Sequence, residues 1–158
     1  MISRILRFLV SVLICQLAGV AGSFFTFHSL EKWYFFIKKP SFNPPDAVFG
    51  PVWITLFAMM GISLFLVWEK GIKNGKTRGA IIIFFLQLAL NILWSVVFFG
   101  CRSIAGGFIV IIILWLAIFL SIKRFFVISK PAAILLFPYI LWVSFAAILN
   151  ASLVLLNR

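Results

Sequence analysis

Residues 105–122 read AGGFIVIIILWLAIFLSI, a continuous run of apolar and small side chains without a single Asp, Glu, Lys or Arg. An α-helix needs about 20 mainly apolar residues to cross the hydrocarbon layer of a bilayer. The run lacks the alternation of a strand, and backbone groups in lipid must be hydrogen-bonded within their own segment or in a closed barrel. The stretch therefore predicts a transmembrane helix.

Four further stretches have the same character, at residues 8–27, 47–68, 79–100 and 132–156. The 158-residue chain is 65% apolar with a mean hydropathy of +1.22, whereas a soluble domain is about 45 to 50% apolar. No linker or shift of composition divides it. The sequence predicts an all-α integral membrane protein with a bundle of five transmembrane helices in a single domain over residues 1–158. The short second, third and fourth connections make consecutive helices antiparallel neighbours.

The net charge of +11 comes from basic residues at the segment ends. A nucleic-acid-binding face would concentrate them along one element, so the sequence predicts no nucleic-acid partner. The bias of Lys and Arg toward cytoplasmic loops explains the same charges. Nine lie on one side of the predicted bundle: Arg4, Arg7, Lys70, Lys73, Lys76, Arg78, Lys123, Arg124 and Lys130. Five lie on the other: Lys32, Lys38, Lys39, Arg102 and Arg158. We predict the N-terminus inside and the C-terminus outside, in a membrane that the sequence does not name.

The first apolar stretch has two interpretations. Arg4 and Arg7 ahead of an apolar run, with small residues at 18–22, also fit a signal peptide. The run continues past any cleavage point to Phe27, however, which favours a retained helix. A row of small residues at four-residue spacing would let another helix approach closely: Ser11, Cys15, Gly19 and Ser23.

Ordinary catalytic chemistry finds little support in the sequence. Cys15 and Cys101 have neither a local partner nor metal-ligand spacing, which favours roles in packing. His28 is the single histidine, so neither a histidine-based catalytic group nor a multi-histidine metal site is indicated. We predict no metal and no cofactor.

The first connection, residues 28–46, reads HSLEKWYFFIKKPSFNPPD and is rich in aromatic, charged and proline residues. Pro44 and Pro45 lack backbone donors and restrict the residues before them, so the second helix is expected to begin at or just after this pair. The connection fits a lid over one end of the bundle. It also fits an aromatic belt at the membrane interface.

Four ordered blocks carry a resemblance to a known family: WYFFIKKPSFNPP (33–45), GPVWITLF (50–57), QLALNILWSVVFFG (87–100) and PYILWVSFAAILN (138–150). They resemble the tryptophan-rich sensory proteins, also called translocator proteins or peripheral-type benzodiazepine receptors. The resemblance implies a five-helix bundle, often dimeric, that binds porphyrins, cholesterol-like sterols and benzodiazepine-type ligands in a pocket capped by the first loop. Some bacterial members are associated with light-dependent protoporphyrin breakdown, and others resemble sensors of tetrapyrrole metabolism.

The spacing within the blocks places polar and aromatic residues on common helix faces. On the third helix this face comprises Gln87, Asn91, Trp94 and Phe98; on the fifth, Pro138, Trp142, Ala146 and Asn150; on the second, Trp53, Phe57 and Gly61. The amide of Asn91, near the middle of its span, needs a partner, which is either another helix or a polar group of a ligand. By themselves such rows also fit helix packing. The resemblance implies that Trp53, Asn91, Trp142 and Ala146 line a cavity.

The predicted ligand-binding residues are Tyr34, Lys38, Lys39, Trp53, Phe57, Gln87, Asn91, Trp94, Trp142, Ala146 and Asn150. Lys38 and Lys39 are expected to meet the propionates of a porphyrin. Trp53 and Trp142 become catalytic residues only if porphyrin is degraded. Phe42 and Phe57 replace the family's usual Trp and Tyr, which leaves polar contacts there in question. Residues 148–158 contain no Tyr, so a sterol pattern at the C-terminus is not supported, although Leu30, Tyr34 and Lys38 fit its loose form.

Three functions follow as alternatives. The leading one is a membrane receptor or sensor for porphyrins and related flat hydrophobic ligands, including sterols and benzodiazepine-type drugs. The second is a light-dependent porphyrin-degrading enzyme, and the third a tetrapyrrole or sterol transporter. Expected partners are a porphyrin or another hydrophobic small molecule and membrane lipid, with a homodimer left open.

Overall fold

The computed structural model describes residues 3–158 and shows only helices and their connections in that range. Its helices are α1 (Arg4–Leu30), α2 (Asp46–Trp68), α3 (Gly75–Ser95), α4 (Ile104–Ile128), α5 (Lys130–Leu135) and α6 (Phe137–Leu156). A π-helical turn, Val96–Gly100, extends α3, and α5 and α6 together form one span, Lys130–Leu156. Five helical segments are therefore long and apolar enough to cross a membrane, which confirms the predicted fold class.

The helices are longer than the apolar stretches that predicted them. α1 continues to Leu30, so His28 lies in the helix and not in the connection. α4 continues to Ile128 and includes Lys123, whose ammonium lies 5.8 Å from the centroid of the Phe119 ring. The apolar stretch ends before the first charge, but Lys and Arg are good helix formers, so the helix continues past them. α2 begins at Asp46, directly after the proline pair.

The last span is interrupted at Leu136, within a stretch that the sequence alone presents as continuous. Pro138 has no backbone N–H and cannot donate to the carbonyl four residues earlier, so the α-helical ladder breaks at this point. Leu136 caps α5, its N–H donating to the carbonyls of Ala133 and Ile134. The break lets α5 pack against α2 while α6 packs against α4.

Close packing of α1 on α2 depends on Gly61. A Cβ atom built on this glycine would lie 2.5 Å from the Cα of Val12 and 3.1 Å from the carbonyl oxygen of Ser11. Ser11 and Cys15 are fully buried at this contact. Gly19 of the small-residue row also packs on α2 as expected, since a Cβ there would lie 2.6 Å from the Phe57 ring. Gly19 and Ser23 also line a cavity described below.

Ion pairs identify which segments share an end of the bundle. Glu69, just after α2, lies 3.1 Å from Arg4 and 3.1 Å from Arg7. The N-terminus and the α2–α3 connection thus meet at one end, called here the N-terminal end. The opposite end, called the loop end, carries the first connection, residues 31–45.

The first connection is fastened across the loop end. Tyr34, in a 3₁₀ turn (Tyr34–Phe36), is buried, and its hydroxyl donates to Asn43 Oδ1 at 3.1 Å. The backbone N–H of Lys38 donates to Asn157 Oδ1, and Asn157 Nδ2 donates to the Lys38 carbonyl, both at 2.9 Å. The two hydrogen bonds join the middle of the connection to the end of α6.

Candidate functional site

A cavity of about 490 Å³ occupies the half of the bundle nearest the loop end. It lies between α1, α2, α3 and α6 and is bordered by the first connection through Tyr34. α2 packs on α5 near the N-terminal end but makes no comparable contact with α6, which leaves space between them. This volume is within the range of small-molecule sites in proteins.

Aromatic rings from several helices line the cavity. On α2, Trp53 and Phe57 lie 5.5 Å apart with their planes tilted by 30°. Trp94 stacks on Phe98 at 5.2 Å along α3 and its π-helical turn. On the α6 side, Trp142 meets Phe49 edge to face at 5.9 Å. These rings come from three separate elements, so they present flat apolar surfaces to the same space.

A buried network of hydrogen-bonded polar side chains extends from the cavity surface into the bundle. The Asn91 amide donates to the hydroxyl of Tyr139 at 2.9 Å, and Tyr139 donates to Gln87 Oε1 at 2.9 Å. Tyr139 is 1% exposed and also contacts Trp53 edge to face at 6.2 Å. Asn91 lines the cavity and Gln87 does not. Asn91 thus has the helix partner that its position required, while its oxygen makes no hydrogen bond within residues 3–158.

The indole N–H of Trp142 has no hydrogen-bond partner within the described part of the chain, although the atom is buried. An unpaired buried donor costs about 1 to 3 kcal/mol. By contrast, the Trp94 indole donates to Asn150 Oδ1 at 3.4 Å, and Asn150 Nδ2 donates to the Ile104 carbonyl at 3.0 Å. Among the cavity indoles, those of Trp53 and Trp142 therefore make no hydrogen bond within residues 3–158, and the unpaired N–H of Trp142 is the buried one.

Tyr34 and Asp46 meet at the mouth of the cavity. Burial and the nearby negative charge of Asp46 raise the pKa of Tyr34 to about 12. The phenol consequently stays protonated further into alkaline pH than an ordinary tyrosine and keeps donating its hydrogen bond to Asn43. No cluster of three His, Cys, Asp or Glu residues that could hold a metal occurs between residues 3 and 158.

The cavity brings together eight of the eleven residues predicted from the sequence: Tyr34, Trp53, Phe57, Asn91, Trp94, Trp142, Ala146 and Asn150. Gln87 lies one turn deeper, behind Tyr139. Lys38 and Lys39 lie on the loop surface, and the ammonium of Lys39 is held 4.5 Å from the centroid of the Tyr34 ring.

Sequence reasoning did not identify the α1 side of the cavity, the Asp46 carboxylate or the Tyr139 link. The sequence held one indication that α1 borders the cavity, namely the small residues Gly19 and Ser23 on one face of that helix.

Five apolar spans, four of which border an apolar cavity, define an integral, multi-pass membrane protein. Residues 11–156 match the TspO/MBR family, and the chain belongs to it.

The relatives share most of their length with this chain. It is 42% identical to the tryptophan-rich protein TspO of Chlorobaculum tepidum over 154 residues, which cover 98% of each chain. Identity to the human translocator protein is 36% over 138 residues, covering 85% of this chain and 80% of the human one. A tryptophan-rich sensory protein of Cereibacter sphaeroides is 32% identical over 127 residues, covering 80% and 78%.

Proposed function

We propose that the protein is a membrane receptor or sensor that binds flat hydrophobic ligands, such as protoporphyrin-type tetrapyrroles, in the cavity at the loop end. The observation that carries the proposal is the aromatic cavity of about 490 Å³, which has few polar groups along its surface. Apolar surfaces with a few convergent polar groups are the usual makeup of small-molecule sites. The names of relatives as sensory and translocator proteins agree with it.

The rings would hold the flat part of the ligand. Trp53 and Phe57 of α2 offer one aromatic surface and Trp142 of α6 another. The free Trp142 N–H and the Asn91 oxygen would supply the polar contacts. In this proposal Lys38 and Lys39 reach propionates only outside the cavity, since neither lysine lines it. Sterols and benzodiazepine-type compounds would use the same apolar surfaces.

Titration of purified protein with protoporphyrin in the dark, in lipid nanodiscs, tests the proposal through tryptophan fluorescence. We expect saturable quenching, weakened by Trp142→Phe about two- to tenfold, because the ring stays and one hydrogen bond is lost. Trp68→Phe is the control, since Trp68 lies at the N-terminal end and outside the cavity. Quenching that never saturates would contradict binding in the cavity.

Light-dependent porphyrin breakdown is a second candidate because Trp53 and Trp142 both line the cavity. The same samples distinguish it when they are illuminated and the porphyrin absorbance is followed. Pigment loss that requires both light and the two tryptophans favours breakdown. Stable absorbance with saturable quenching favours sensing.

A further inference from the structure

The cavity surface carries one formal charge, and it is negative. Asp46, the first residue of α2, lines the mouth of the cavity, and no Lys or Arg does so. Within residues 3–158 no cation lies within 4.0 Å of its carboxylate, since both ion pairs belong to Glu69. Its charge also acts on Tyr34 across the mouth, where it helps to keep the phenol protonated.

Asp46 shares a helix face with the aromatic surface of α2. Asp46, Gly50, Trp53 and Phe57 follow one another at steps of four, three and four residues, and all line the cavity. A Cβ atom on Gly50 would meet no other atom within 4 Å. The carboxylate and the Trp53 indole are thus about 10 Å apart along the helix, with bare backbone between them. A flat ligand on Trp53 can extend a substituent to Asp46 past this gap.

Lys39, a basic side chain at the same end of the bundle, is placed differently. The Lys39 ammonium lies over the faces of Tyr34 and Phe35, 4.5 Å and 5.8 Å from the ring centroids. Of these three residues, Tyr34 alone lines the cavity. A ligand inside the cavity therefore meets the charge of Asp46 before that of Lys39.

We propose that this cavity prefers flat aromatic ligands bearing a protonated amine over those bearing a carboxylate, with Asp46 as the residue that selects. The inference rests on the proposed function, because it ranks ligands of the same cavity. The exposed carboxylate of Asp46 attracts a cation and repels an anion, and aromatic faces add their own attraction for ammonium groups. A porphyrin must consequently turn its propionates away from Asp46.

Three probes with one ring system test the selection: 1-pyrenemethylamine, 1-pyrenemethanol and 1-pyrenecarboxylate. Their dissociation constants are measured by tryptophan-to-pyrene energy transfer in phosphatidylcholine nanodiscs, where the lipid carries no net charge. We expect Asp46→Asn to weaken the amine about three- to fivefold and to strengthen the carboxylate by a similar factor. The alcohol should change less than about twofold. The matched control is Glu31→Gln, which removes an exposed charge at the same end but outside the cavity.

Each outcome of this experiment has a distinct meaning. Equal effects of Asp46→Asn on all three probes, or the same selectivity change in Glu31→Gln, would overturn the role of Asp46. Unchanged binding of the alcohol shows that the variant folds. If the wild-type protein binds none of the probes and no porphyrin, the proposed function itself fails, and the selection fails with it.

Discussion

The side chain of Asn91 belongs both to a helix contact and to the cavity. Its amide is 5% exposed and donates to Tyr139, yet the residue also lines the cavity. A polar side chain in the middle of a membrane span needs a hydrogen-bond partner. Tyr139 accepts from the Asn91 amide nitrogen, which leaves the amide oxygen available to a ligand. The two interpretations that the sequence left open for Asn91 are therefore compatible.

At the residue scale we predict that Ala146→Thr weakens ligand binding more than it weakens folding. Ala146 is half-buried on the cavity surface. Atoms added where a bound ligand fills the space cost about 1 to 3 kcal/mol of binding free energy. Affinity for protoporphyrin should fall about five- to 150-fold while the thermal unfolding midpoint changes little. Unchanged affinity in a folded variant would remove Ala146 from the site.

Sequence could predict which residues share a helix face but not how deep the cavity reaches. Asn91 and Gln87 are four residues apart on one face, so both were predicted to bind ligand. The space ends between them because Tyr139, 48 residues away from Asn91, fills the next layer. That pairing depends on the rotation of α6 against α3, which no local pattern encodes.

At the scale of elements, the contact of α1 with α2 requires a residue without a side chain at position 61. A Cβ there would collide with the Val12 backbone, which cannot move as a side chain can. We predict that Gly61→Ala lowers the free energy of unfolding by about 1 to 3 kcal/mol, measured by denaturant titration in detergent.

Gly79→Ala is the matched control for that substitution, since Gly79 lies in α3 with no atom within 4 Å of the added Cβ. Alanine should stabilise α3 there by up to about 1 kcal/mol through its helix propensity. Equal losses in both variants would show that the α1–α2 contact is not limited by Gly61.

The attachment of the first connection to α6 is the second element with a measurable consequence. Asn157→Ala removes the two hydrogen bonds to Lys38, together worth about 1 to 3 kcal/mol. We predict that amide exchange in the loop around residue 38 accelerates about five- to 150-fold, measured by hydrogen–deuterium exchange. Ser41→Ala, a change in the same loop, should leave exchange unaltered, and a matching increase there would refute the attachment.

The elements themselves were well predicted in their centres and poorly at their ends. Hydropathy identifies where lipid surrounds a helix, but the α4 helix continues past Lys123 to Ile128 because Lys and Arg are good helix formers. Pro44 and Pro45 predicted the start of α2 because their effect on the backbone is local. The break before Pro138 also has a local cause, yet Pro51 lies inside α2 without dividing it, so a proline alone does not predict a break.

At the scale of the whole molecule, the two ends differ in basic charge, nine residues against five. This asymmetry predicts the N-terminal end on the cytoplasmic side. In a Cys101→Ser background, which removes the exposed native thiol, a cysteine at Asn74 should react with a cytoplasmic-side reagent and one at Ser41 should not. The reverse pattern would invert the orientation and leave the fold unchanged.

A ligand that occupies the cavity should be excluded when a side chain fills that space. Gly50 lies on the cavity lining with open space beside it, so Gly50→Phe places a ring there without a backbone clash. Saturable quenching by protoporphyrin should disappear in Gly50→Phe and persist in Gly79→Phe, which adds the same ring outside the cavity. Equal protoporphyrin affinity in the two folded variants would show that protoporphyrin does not bind in the cavity.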